Sequence, residues 1–362
     1  MTTKDSFKIP NYIVSINGLR AISVLLVVMQ HVSMMGYSIL NDIKENKYLS
    51  ILLGILMDGQ LGVNTFFVIS GFLITYLLLI EERKTSKINI KNFYIRRFFR
   101  IFPAYYFLLF IYFILQSLDI LKIPKESWLT AITYTKYFNY EIDSYTAHAW
   151  SLSIEEQFYL TWPFVFLLGH KTRRNTALFL IVAAQIFRMV DYRLDIGFLH
   201  DLSIFFRIDA IAIGCLLAIY REKLISFFSA KQWQYLFYVS IIILVLLPSA
   251  YCLTDSIPKM NIIWSILGSR YGFFANICIC VILIYSVYFS KGFLFLFLNN
   301  KLMNHIGLLS YSIYLWQQIF LIKTPHWYNQ FPMNIILIII VSHLSYYLIE
   351  KPFMKLKAKF SM

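Results

Sequence analysis

A chain of 362 residues that is 59% hydrophobic and only 14% charged, with a mean hydropathy of +0.63, is excluded from the ordinary soluble class, which carries about 25% charged residues. The net charge of +14 and the 18% aromatic content fit a membrane protein, because cytoplasmic loops retain Lys and Arg and aromatic rings favour the two interfaces. Nucleic acid is not needed to explain the charge.

The polar start, Met1 to Pro10, runs into the first apolar segment without a small-residue cleavage site, so no removable signal is expected. Ten apolar segments follow, at 14–37, 60–80, 101–118, 150–169, 175–190, 203–220, 234–251, 269–290, 304–322 and 332–349. The stretch Leu49 to Met57 reads as an interfacial helix, and the fifth segment is short and ends near Arg188. An all-α, polytopic membrane protein with about ten transmembrane helices is expected, as one domain over 1–362 with its core at about 14–350 and no appended soluble domain.

The first segment carries Arg20 and His31. On a helix of about 100° and 1.5 Å per residue they share a face to within about 20° and lie about 16 Å apart along it. A charge at mid-bilayer costs about 2.5–3.5 kcal/mol, so such residues face a protein interior or a wet cavity. The plain alternative is a snorkelling arginine and a histidine bonded to a neighbouring carbonyl. Asn64 lies in the outer part of the second segment.

Between the second and third segments come Arg83, Lys84, Lys87, Lys91, Arg96, Arg97 and Arg100. The Arg97 and Arg100 guanidiniums, three residues apart, share a helix face and could clamp a phosphate. Dense charge in a cytoplasmic loop also follows from insertion alone. The fourth segment opens with the run from His148 to Tyr159, which contains Trp150 and the adjacent carboxylates Glu155 and Glu156. Arg207 and Asp209 sit one turn into the sixth, and Gln317 and Gln318 in the outer half of the ninth. On this topology they reach compatible heights, where an acid near an imidazole can fix its tautomer and support general-base chemistry. The blander readings are a helix-start role for the glutamates and a local pair between Arg207 and Asp209.

With the N-terminus inside, alternate loops and tails put most of the 33 basic residues on the cytoplasmic side. Both termini are expected there, in the cytoplasmic membrane. Cys215, Cys252, Cys278 and Cys280 lie in or beside apolar helices without the partners a zinc site needs, so no metal is expected.

Taken in order, Gly18-Leu19-Arg20 with His31, the run Gly62 to Leu73, Arg97 with Arg100 and Pro103, the run His148 to Pro163, Arg207-Ile208-Asp209-Ala210, Gly307 to Trp316, and Glu350 with Pro352 resemble the acyltransferase-3 family of integral membrane O-acyltransferases over nearly the whole chain. The resemblance implies transfer of an acyl group, usually acetyl, from cytoplasmic acyl-CoA to a hydroxyl of a cell-surface or lipid-linked carbohydrate. It makes His31 the catalytic histidine and Arg20 its partner, relates Arg97 and Arg100 to the donor, and matches Glu155 to the acidic residue of the tryptophan-serine-leucine motif. Asn64, Trp150, Glu156, Arg207, Asp209 and Gln317 are expected about the substrate. Two positions depart from the pattern: Asn64 stands where aspartate is frequent, and Gln317 where a histidine usually follows Tyr-Leu-Trp.

No tightly bound cofactor is expected, with acetyl-CoA acting as co-substrate. Expected partners are the glycan acceptor, membrane lipid and a separate glycan-assembly protein. The competing reading is a proton-coupled transporter or flippase for an amphipathic substrate that relays protons through His31, Glu155 and Asp209. The lack of visible inverted repeats weighs against it.

Overall fold

A computed structural model describes residues 13–37, 54, 56–139, 142–194, 203–254, 272–358 and 360. The polar start, most of the expected interfacial segment Leu49 to Met57, Arg270 at the head of the eighth apolar segment and the Cys252 side chain lie outside the described residues.

The described residues form helices and no strand. In chain order they are α1 (Ile16–Met34), α2 (Gly59–Thr85), α3 (Ile90–Ser117), α4 (Lys125–Ile132), α5 (Ala149–Leu167), α6 (His170–Leu194), α7 (Ser203–Phe227) and α8 (Ala230–Thr254). Then come α9 (Phe273–Ile284), which continues as a π turn to Phe289, α10 (Gly292–Asn299), α11 (Lys301–Phe320), α12 (Met333–Ser345), a π turn (Tyr346–Glu350) and α13 (Lys351–Ala358).

Each of the ten expected segments falls on one of these helices, yet length and apolarity alone qualify fewer as crossings. Among the described residues four pass: Ile16–Met34, Gly59–Thr85, Ile90–Ser117 and the continuous stretch Met333–Leu356. A fifth is counted if Phe273–Phe289 and Gly292–Asn299, bent by 96°, form one broken span. α8 is apolar over Ala230–Leu246, and three of the others fall short for a chemical reason. α5 carries Glu155, Glu156 and Gln157 in its middle, α7 carries Arg207 and Asp209 and ends on Arg221, Glu222 and Lys223, and α11 begins with Lys301, Asn304 and His305 and finishes near Gln317 and Gln318. Polar groups that serve a protein interior lower the apparent apolarity of the helix that bears them.

The start of α3 differs from the expectation. The Asn89 side chain accepts a hydrogen bond from the Asn92 amide at 2.9 Å and caps the helix there, so α3 begins at Ile90 and runs through Pro103. Arg97 and Arg100 thus belong to a helix, and their three-residue spacing puts both on one side of it.

α2 is the central element, packed against α1, α5, α7 and α9. Several crossings bring backbones into contact at glycines, Gly18 against Leu298 and Gly62 against Ser23 among them, and two others organise the core. A Cβ at Gly71 of α2 would collide with the Ile211 carbonyl of α7, and one at Gly307 of α11 with the Asn17 carbonyl of α1. Helices in lipid gain little from hydrophobic association, so close approach through small residues supplies much of their attraction. The core between them holds Phe67, Phe72 and Leu78 of α2, Tyr105 and Tyr112 of α3, and Trp162 and Phe166 of α5, all almost fully buried.

The connection from α3 to α5 is tied down by a buried ion pair. Lys136 donates to Asp143 at 2.6 Å and to Ser127 Oγ at 3.0 Å, and the Thr146 amide and hydroxyl each donate to Asp143 at 2.7 Å. Burial pushes the Asp143 carboxyl up, but the Lys136 ammonium and the Thr146 donors outweigh it and hold it below the usual aspartate value.

Candidate active site

Seven helical elements converge on a cavity of about 360 Å³, among them α11 with Tyr311 and Tyr314 and α13 with Met354. α1 supplies Arg20, α2 Ser70, α3 Arg97 and Arg100, α5 Glu155, Glu156 and Tyr159, and the π turn after α12 supplies Glu350. An α-helix packs 3.6 residues per turn, so the wider π turn resets which residues of this last helix face inward. π segments of this kind recur at functional sites.

The acids and arginines here are arranged differently from those elsewhere. Glu155 accepts from Ser70 Oγ and from Tyr159 OH, each at 3.1 Å, and Glu350 accepts from Ser312 Oγ. Arg97 lies over the Tyr159 ring, 4.6 Å from its centroid. Arg20 and Arg100 repel one another, and both are attracted by Glu350 and Glu155. Among the described residues, no ion pair within 4.0 Å holds Arg20, Arg97 or Arg100. By contrast Arg83 and Arg221 meet Glu222 at 2.6 and 2.9 Å, Arg96 meets Glu81 at 2.7 Å, Arg173 meets Glu82 at 2.5 Å and Arg188 meets Asp209 at 2.8 Å. The basic cluster of the second loop therefore divides: Arg83 and Arg96 are bound to acids, while Arg97 and Arg100 line a cavity with Arg20.

His31 does not line this cavity. Its ring approaches the Gln317 amide without a hydrogen bond closing between them, and it lies within electrostatic reach of His148. Glu155 is thus placed among the arginines, bonded to Ser70 and Tyr159, and not on the His31 ring. Tyr314 joins the two places. It lines the cavity, its hydroxyl donates to the His148 carbonyl at 2.7 Å and lies 2.5 Å from Ser151 Oγ, and its ring centroid is 5.6 Å from that of His148.

A third polar group takes up the remaining expected residues. Asn64 accepts from Arg207 at 3.2 Å and donates to Asn276 at 3.1 Å, and Asn276 in turn donates to Asp209 at 3.4 Å. Asp209 is held by Arg188, at 2.8 and 2.9 Å, and by Gln185 at 3.1 Å. The local Arg207–Asp209 pair is replaced by a pair between α6 and α7. Residues two apart on a helix point to nearly opposite sides, whereas Arg188 lies opposite Asp209 on the neighbouring helix. The Arg207 guanidinium lies over Trp150, 5.8 Å from the ring centroid.

Sequence reasoning overlooked Ser70, Tyr159, His148 and Glu350 as site residues. The signal for Glu350 was an acid at the very end of an apolar segment; its inward direction depends on the π turn and could not be read from helical spacing. Among the described residues no group of three or more His, Cys, Asp or Glu could hold a metal ion, and Cys215, Cys278 and Cys280 are buried free thiols. A larger apolar cavity of about 570 Å³, between α3, α11 and α12, contains none of the expected site residues.

A family model described as an acyltransferase domain matches residues 13–349. The chain is similar to O-acetyltransferase OatA of Staphylococcus aureus strain NCTC 8325, at 29% identity over 391 aligned positions, covering 98% of this chain and 60% of that protein. The same values hold for OatA of strains COL and MRSA252. The chain spans about three fifths of the length of these curated relatives. No solved structure matches it.

Proposed function

The chain belongs to the acyltransferase-3 family, and from that premise we propose that it is a multi-pass O-acyltransferase of the cytoplasmic membrane, moving an acetyl group from acetyl-CoA to a carbohydrate hydroxyl. The observation that carries the reading is the set of three guanidiniums, Arg20, Arg97 and Arg100, that share one cavity without ion pairs of their own. Guanidinium groups favour phosphate through planar, bidentate hydrogen bonds. The phosphates of a nucleotide donor, entering from the basic end of the bundle, are the matching ligand.

His31 then serves as general base. The acceptor hydroxyl enters from the opposite end, gives its proton to the imidazole and attacks the thioester carbonyl carbon; the C–O bond forms, the C–S bond breaks, and CoA leaves with the proton. Base assistance of this kind contributes on the order of 10²–10⁴ in rate. Glu155, fixed by Ser70 and Tyr159, balances the arginine charge until the donor binds. Ten crossings with both termini cytoplasmic satisfy the distribution of Lys and Arg. Asn64, Trp150, Arg207 and Asp209 flank the acceptor path, and Glu156 lies on the donor side of it.

Purified protein given labelled acetyl-CoA tests the reading. Acceptor-dependent release of CoA is expected, together with new acetyl esters in the surface glycans of cells that make the protein, seen by mass spectrometry. Movement of unmodified substrate across vesicles, without CoA release, would make it a transporter instead.

A further inference from the structure

Five side-chain atoms, His31 Nδ1, both ring nitrogens of His148, and Nε2 and Oε1 of Gln317, are buried without a well-formed hydrogen bond, with only the backbone of Val27 near the first imidazole and that of Leu315 near the second. They come from α1, α11 and the residue that opens α5, and they are neighbours: His31 approaches Gln317 and lies within electrostatic reach of His148. His148 is 5% exposed and Gln317 0%. Each polar group left unpaired in a protein interior costs about 1–3 kcal/mol, and most such groups in folded proteins are satisfied. A cluster of five on three elements therefore calls for an occupant that can both donate and accept.

We infer that His148 is a second imidazole of the acceptor site, which with Gln317 binds the carbohydrate through its hydroxyls and presents one of them to His31. The inference rests on the transferase reading above. A neutral imidazole has one N–H donor and one bare acceptor nitrogen, and a primary amide offers both functions. Neighbouring sugar hydroxyls, each a donor and an acceptor, complement such a set, whereas an alkyl chain would leave every one of these atoms unpaired. The position is held from outside the cluster by Tyr314, whose hydroxyl bonds the His148 carbonyl and whose side chain also lines the arginine cavity. Tyr314 thus stands between the inferred acceptor site and the arginine cavity. During transfer the hydroxyl proton passes to His31 and the alkoxide oxygen takes the acetyl group from sulfur; His148 changes neither its charge nor its proton count.

The test uses the full chain in cells that otherwise lack it, with acetate released from envelope polysaccharide by mild base as one readout and acetyl-CoA affinity of the purified protein as the other. His148→Ala is expected to lower released acetate by about 10-fold or more, the effect of losing one well-placed hydrogen bond to substrate, while acetyl-CoA affinity stays within about twofold. His148→Gln keeps a donor and an acceptor and is expected to recover most of the loss. The inference is overturned if His148→Ala releases wild-type acetate, if donor affinity falls in step with acetate, or if His148→Gln is as inactive as His148→Ala at equal membrane abundance. A wild-type protein that adds no acetate above the empty control overturns the transferase reading first, and the inference with it.

Discussion

The arginine cavity and the Asn64–Asp209 network are both charged clusters inside one helical bundle, and they solve the problem of burial in opposite ways. In the network every charge meets a counter-charge or an amide: Asp209 alone collects Arg188, Gln185 and Asn276. In the cavity three guanidiniums face space that their own acids, engaged with Ser70, Tyr159 and Ser312, do not fill. A complete cluster holds helices together; an incomplete one is built to receive something.

Four measurements act on that difference. The largest effect is expected outside both clusters: His31→Ala should lower acetyl transfer by about 10²–10⁴ while leaving acetyl-CoA affinity intact, and turnover above about a tenth of wild type would remove His31 from the role. Next comes the complete cluster. Asp209→Ala strands Arg188 and should cost about 3–5 kcal/mol of stability, whereas the double change Arg188→Met with Asp209→Leu should be close to neutral; thermal unfolding in detergent distinguishes the two.

In the incomplete cluster the balance reverses. Arg100→Leu should raise the KM for acetyl-CoA roughly 10- to 100-fold, the worth of a hydrogen bond to a charged group, with no loss of thermal stability. Equal destabilisation by Arg100→Leu and Asp209→Ala would erase the contrast. The smallest effect concerns the Lys136–Asp143 pair. Because the folded value of Asp143 is depressed, its contribution to stability is present above about pH 4 and is lost as the pH falls through the folded value. Lys136→Met removes the ammonium and leaves the Thr146 donors alone against burial, so the pH dependence should weaken, which unfolding followed across acid pH would show.

Much of this was legible in the sequence where the information is local. Apolar runs located the helices, and the three-residue spacing of Arg97 and Arg100 put both on one face, which the cavity bears out. Glu155 and Glu156, expected at the height of Asn64, Arg207, Asp209 and Gln317 and beside the imidazole, instead share the cavity with Arg20, Arg97 and Arg100. What the sequence withheld was the pairing between elements. Arg188 stood at the end of the weakest segment and gave no sign of its partner on α7, and the local pair of Arg207 with Asp209 was already disfavoured by its two-residue offset. His148 was visible within its motif, yet its ring finds His31 only because α1, α5 and α11 meet. The count of crossings was least legible, since the residues that make the site functional are those that weaken a hydropathy signal.

The touching backbones of α2 and α7 at Gly71 carry a mechanical consequence. Where main chains meet without side chains between them, there is no soft layer through which one helix can slide past the other, so this crossing behaves as a rivet. The arginine cavity is lined by α2 from Val63 to Leu77 and the polar network meets the same helix at Asn64, so both are fixed to one frame. A side chain as small as that of alanine at position 71 should therefore push the two helices apart and disturb the frame before it reaches either cluster.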